Sequence, residues 1–172
     1  MRALMYHYVR QYNNRFPNFR YLEFENFKKQ LDFFSSTYGF ITRKEWDEIV
    51  QSGDCEKAKG KIVLTFDDAT SCHFDYIFPE LEKRGLWGFF YIPSAPYLQK
   101  KLLDVHIVHL LCGKFDGREL LASLLSIIED EMIILSERRR FTSYAYMNQQ
   151  NYEGVTEFKK TINYFISPQF RR

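Results

Sequence analysis

Ile62-Val63-Leu64-Thr65-Phe66-Asp67-Asp68 is the stretch on which the reading of this chain turns. A short apolar, β-branched run with no polar alternation reads as a strand buried on both faces, the kind found in the parallel sheets of α/β folds. It stops abruptly on two adjacent carboxylates. The C-terminal edge of such a sheet is where α/β proteins gather ligands and catalytic groups. Two neighbouring carboxylates repel each other, so the pair suggests a compensating cation or a shared proton. The plainer alternative is a strand followed by an Asp-rich turn.

The flanking residues weigh on that choice. After Ala69-Thr70-Ser71, the residues Phe74, Ile77, Phe78 and Leu81 fall at helical spacing, and Gly85 follows Lys83-Arg84 as a helix stop. A second buried-looking strand runs from Trp87 to Ile92 and ends at Pro93. Strand, loop, helix, glycine and strand make one βαβ unit of about thirty residues, with the Asp pair at its first crossover. Upstream, Phe24, Phe27, Leu31 and Phe34 recur every three or four residues, with Lys28, Lys29 and Asp32 on the other side. That is a helix packed on a core, not a platform for stacking bases. Glu45, Trp46, Glu48 and Ile49 suggest a short second helix, and Ser52-Gly53-Asp54 to Lys61 is a polar connection into the Asp-Asp strand.

In this order the segments resemble the polysaccharide deacetylases that carry the NodB homology domain. The resemblance rests on Thr65-Phe66-Asp67-Asp68, on Phe78-Pro79-Glu80-Leu81-Glu82-Lys83-Arg84-Gly85 and on Trp87-Gly88-Phe89-Phe90-Tyr91-Ile92-Pro93. Leu4-Met5-Tyr6-His7-Tyr8-Val9 looks like the first strand of the same domain, and Phe24 to Phe34 and Ile41 to Trp46 match the segments after it. Ala69 stands where the family's Thr-Phe-Asp-Asp-Gly has its glycine. The resemblance covers residues 1 to 97 and thins beyond them. It implies an α/β fold, a partial or distorted (β/α) barrel of the NodB type, and metal-dependent removal of N-acetyl or related acyl groups from a carbohydrate.

Carried over, the resemblance makes Asp67 the general base and Asp68 a ligand of a divalent metal ion (Zn, or Co, Ni, Mn or Fe). One carboxylate, two imidazoles and an open water position suit amide hydrolysis, because the ion lowers the water's pKa and polarises the carbonyl. The family draws those imidazoles from a His-Ser/Thr-x-x-His motif, which is absent here, as are its Arg-x-Pro segment and C-terminal His. His106 and His109 are the one closely spaced histidine pair; i and i+3 share a helix face, so both are candidate metal ligands. They also sit among Leu103, Val105, Ile107, Val108 and Leu110, where a packing or capping role is the alternative. His7, at the end of the first strand, is a candidate substrate-binding residue at the same mouth, with a core or loop role as its alternative. His73 begins a helix and reads as a surface residue.

The rest of the chain is bounded more loosely. A net charge of +2 and the lack of a basic run interleaved with aromatics argue against nucleic acid. Arg138-Arg139-Arg140 reads as a solvated helix end. Three cysteines without CxxC spacing argue against a disulfide framework, and Cys72 reads as a buried thiol. No signal peptide or membrane-length apolar run is visible, so a cytoplasmic location is the expectation. Leu102 to Leu111 reads as a helix closed by Gly113, residues 117 to 135 as a second, and Phe158, Ile162 and Phe165 mark a last one before Ser167-Pro168. Residues 98 to 172 thus read as a mainly helical, insertion-like half of one incomplete NodB-like domain, with no concluding strand. With 172 residues against the roughly 250 of a complete barrel, the chain is expected to be a portion of a longer deacetylase, or a degenerate homologue. An N-acetylated sugar is the expected partner. The alternative function is a non-catalytic carbohydrate- or protein-binding module; a phosphatase-like Asp-Asp site is weaker, lacking a glycine after Asp68.

Overall fold

Ile62–Phe66 (β4) is the middle strand of a three-stranded parallel sheet, between Arg2–Tyr6 (β1) and Gly88–Phe90 (β5). The computed structural model describes residues 1–134 and 145–171. Every residue of β4 is buried, and its alternation feeds two different cores. Ile62, Leu64 and Phe66 pack with Tyr6, Val9, Phe27, Leu31, Ile77 and Leu81. Val63 faces the other way, toward Ile41, Ile49 and Ala58, with Trp46, Trp87 and Phe89 against them. Thr65 is the one polar residue of the strand, and its hydroxyl donates to the Leu4 carbonyl at 3.2 Å.

The register aligns the strand ends. Tyr6 lies opposite Phe66, and Phe66 opposite Phe90, so the residues that follow all emerge at one edge. A second, two-stranded parallel sheet pairs Val9–Arg10 (β2) with Leu22–Glu23 (β3). Among the described residues these strands do not close into a barrel.

Two helices lead from β3 to β4. Phe24–Thr37 (α1) buries Phe27 and Leu31, one turn apart, and Glu23 caps it by accepting from the Glu25 N–H. Arg43–Ser52 (α2) starts with a reciprocal capping box between Thr42 and Glu45 and stops at Gly53, whose φ of 72° ends the helix.

After β4 the chain enters a π turn, His73–Ile77, before the short helix Phe78–Lys83 (α3). The wider turn adds a residue to the helical count, so the predicted core face holds at Ile77 and Leu81 and fails at Phe74 and Phe78. Phe74 is 76% exposed and Phe78 50% exposed, while His73, Ile77 and Leu81 are buried. Arg84 ends this segment with its guanidinium bonded to buried Glu80 and to Asp32 on α1, each at 2.5 Å. The strand expected over Trp87–Ile92 is shorter than its apolar run: after Phe90 only the Tyr91 N–H continues the ladder, donating to the Phe66 carbonyl, and Pro93 has no N–H to offer. Ala95–Gln99 (α4) follows.

The described residues fall into two compact units, Met1–Tyr12 with Tyr21–Gln99, and Asn13–Arg20 with Lys100–Arg172. The second contains Asp104–Lys114 (α5), Gly117–Ile127 (α6) and Val155–Lys160 (α7). Asp116 caps α6 by accepting from the Arg118 and Glu119 N–H groups. Val108, Cys112, Val155 and Phe158 form the core, with Leu120, Leu121, Leu124 and Ile162 around it. Gly113 does not end α5; it lies inside the helix, where a β-carbon would come within 2.6 Å of the Phe19 ring. Ile133 and Ile166 make one isolated antiparallel bridge. Arg138-Arg139-Arg140 lies outside the described residues. No helix among the described residues is long and apolar enough to cross a membrane.

Candidate active site at the edge of the parallel sheet

Asp67 and Asp68 leave β4 at its C-terminal end, where the Asp67 N–H is held by the Tyr6 carbonyl at 3.0 Å. The backbone then turns sharply. Asp68 has φ 78° and Ala69 φ 46°, left-handed values that L-residues adopt at a cost of about 1–2 kcal/mol each. The glycine that the deacetylase pattern has at the second of these positions would meet that conformation without strain. This turn presents both carboxylates beside a pocket of about 440 Å³, lined by Asp67, Asp68, Tyr91, Ile92 and Pro93.

His7 follows β1, the neighbouring strand. Its Nε2 lies 3.9 Å from Oδ2 of Asp67 and 3.9 Å from Oδ2 of Asp68. The side chains of the three are 40%, 28% and 23% exposed respectively, so a solute can reach them. At 3.9 Å the contacts exceed a hydrogen bond and fit charge pairing or a bridging water. Tyr8, next in sequence, has its phenol pushed up to about 12 by burial first and then by the Asp68 charge, so it remains protonated at neutral pH.

His73 departs most from expectation. Sequence placed it on the surface; it is 4% exposed, with its ring edge-on to Phe66 and Phe90 at 5.9 and 6.0 Å between centroids. Its Nε2 lies 2.5 Å from the His7 carbonyl. Burial, the dominant influence, pushes its pKa below the ordinary histidine value, against the opposing pull of that carbonyl and Asp68. Cys72 is a buried thiol, 3.1 Å from the Thr70 hydroxyl.

The structure therefore brings together His7, Asp67 and Asp68 from the predicted set. His106 and His109 lie on α5, in the other compact unit. Sequence reasoning missed Tyr91, Ile92 and Pro93 as pocket walls, because an apolar run after a predicted strand reads as core. It also missed His73, for which the π turn left no periodic signal.

The divalent ion implied by the resemblance calls for three protein donors around an open position. With metal–donor bonds of about 2.0–2.1 Å in a tetrahedron, neighbouring donors lie roughly 3.3 Å apart. The two contacts at His7 are wider than that, and among the described residues no group of three or more His, Cys, Asp or Glu side chains is placed to hold a metal ion. The donors present do not fit a complete metal centre. Comparison with known proteins adds nothing further: no family model, no curated protein and no solved structure matches the chain.

Proposed function

We propose that this chain carries a hydrolase site of the carbohydrate N-deacylase kind, on an α/β unit built as part of a (β/α) barrel, with an N-acetylated sugar as substrate. One observation carries the reading: an imidazole and two carboxylates from adjacent parallel strands converge at the sheet's C-terminal edge, beside a pocket with the exposed ring of Tyr91 on its wall.

In this reading Asp67 accepts the proton of a water that attacks the acyl carbonyl. The C–N bond then breaks, the amine leaves with the proton that Asp67 took, and the acid is released with the water's oxygen. His7 Nε2, 3.9 Å from a carboxylate oxygen of each aspartate, is placed to hold the attacking water beside Asp67, the base. The lining of Tyr91, Ile92 and Pro93 offers an apolar surface to a sugar's C–H face, while the carboxylates accept from its hydroxyls. No step is assigned to a metal ion, because the donor set is incomplete, and slow turnover with weak metal affinity follows from that. The test is release of acetate from N-acetylated amino-sugar oligomers by the wild type and by Asp67→Asn; release that depends on Asp67 supports the reading. The same incomplete donor set favours a second reading, a carbohydrate-binding module without catalysis. Oligomer binding that is indifferent to Asp67→Asn and to chelators, with no acetate released, would favour it.

A further inference from the structure

We infer that His73 is a positioning residue that sets the place of His7 between Asp67 and Asp68. The inference rests on the hydrolase reading for its catalytic consequence, but not for its geometry. Three consecutive carbonyls of the β1–β2 junction each have a different tether. Tyr6 accepts from the Asp67 N–H at 3.0 Å, Tyr8 from the Leu22 N–H at 2.8 Å, and His7 from the His73 ring at 2.5 Å, with the Cys72 thiol a longer and weaker donor to the same oxygen at 4.0 Å. The first ties the junction to the end of β4 and the second to β3. The third ties it to the π turn that follows the strained Asp68–Ala69 corner. That third bond acts on the residue whose imidazole faces both carboxylates.

A carbonyl oxygen only accepts, so Nε2 of His73 carries the proton and Nδ1 of the neutral ring does not. Nδ1 is buried and has no hydrogen-bond partner among the described residues. Packing alone therefore gives no reason for histidine at this position. A Phe or Leu beside Phe66 and Phe90 would fill the space without burying an unsatisfied acceptor. The polar return of the histidine is the single bond to the His7 backbone. It also joins the two loops that carry the cluster, so relaxing it moves the imidazole relative to both carboxylates at once.

The experiment uses the full chain with ¹³C-carbonyl and ¹⁵N-imidazole histidine labels, in the wild type, His73→Phe and His73→Gln. Glutamine keeps a donor near the position of Nε2, and phenylalanine keeps the packing and removes the donor. Expected in the wild type is a His73 ring protonated at Nε2 alone. The His7 carbonyl resonance should move upfield in His73→Phe and return in His73→Gln. In acetate release from N-acetylated amino-sugar oligomers, His73→Phe should lower kcat by about tenfold to 10²-fold, the scale of a misplaced catalytic group, with KM held, and His73→Gln should recover most of it. A His73 ring protonated at Nδ1, or a His7 carbonyl resonance unmoved in His73→Phe, overturns the inference. A wild type that releases no acetate overturns the hydrolase reading alone, and the resonances still decide the role of His73.

Discussion

Gly88 gives the sharpest perturbation of the sheet that positions the site. It stands opposite Leu64 in the β4–β5 register. A β-carbon there would lie 2.8 Å from the Leu64 carbonyl oxygen, 2.8 Å from Cε2 of Phe66 and 3.1 Å from the Leu64 β-carbon. The Phe66 ring is fully buried and stacks on Tyr6 and Phe90 at 5.8 and 4.7 Å, so it has little room to swing away. The Leu64 carbonyl belongs to the central strand and cannot rotate without breaking the ladder. Gly88→Ala must therefore push β5 outward, an overpacking cost of about 1–3 kcal/mol. For a chain of this length that is a fall in melting temperature of roughly 2–12 °C. Both tryptophans of the chain, Trp46 and Trp87, pack on the Val63 side of the same sheet, so intrinsic fluorescence during thermal unfolding reports on this unit. Because the Tyr91 N–H donates to the Phe66 carbonyl at 2.8 Å, its amide should also exchange faster with solvent in the variant. A fluorescence midpoint unchanged in Gly88→Ala would refute the close approach of the two strands.

Three smaller predictions concern the site itself. Ala69→Gly removes a left-handed cost of about 1–2 kcal/mol and adds unfolded-state entropy of about 0.4–1 kcal/mol, so denaturant unfolding should show net stabilisation of up to about 1.6 kcal/mol; a clear loss would contradict the φ of 46° at this residue. Buried His73, with its pKa held below the ordinary value, makes stability fall in acid. Above the unfolded value of about 6.5 neither state binds the proton; below it the unfolded chain does and the folded chain does not. Stability then drops by up to about 1.4 kcal/mol per pH unit until the folded ring also titrates. Urea unfolding at pH 7.5 and 5.5 should show a smaller acid loss in His73→Phe than in the wild type, and equal losses would contradict a buried neutral ring. For the metal, elemental analysis after dialysis against zinc should find well under one equivalent bound, little changed in Asp68→Ala. A full equivalent lost on that substitution would contradict the incomplete donor set.

The central strand and its carboxylates were legible because their signals are local. A β-branched run buries on both faces, and Asp67-Asp68 must follow wherever that strand ends. The α1 face was equally readable, since Phe27 and Leu31 obey a regular helical period. His73 and Phe74 were not, because the extra residue of the π turn shifts the faces at its start, while Ile77 and Leu81 beyond it keep the predicted one. Tyr91 and Ile92 look like strand interior in sequence; pairing with β4 runs out at Phe66, leaving them as pocket wall, a limit set by the partner strand and not by their own residues. The juxtaposition of His7 with the Asp pair depends on β1 lying beside β4 across some sixty residues of chain, register Tyr6 to Phe66. Local pattern suggests that pairing only through the family resemblance.

Acetate release from N-acetylated amino-sugar oligomers, compared between the wild type and Asp67→Asn, tests the central claim most directly. The wild type should release acetate slowly but measurably, and removal of the base should reduce release by about 10²-fold or more, as expected for loss of a general base. Equal release by the two proteins, or tight oligomer binding with no release by either, would contradict it.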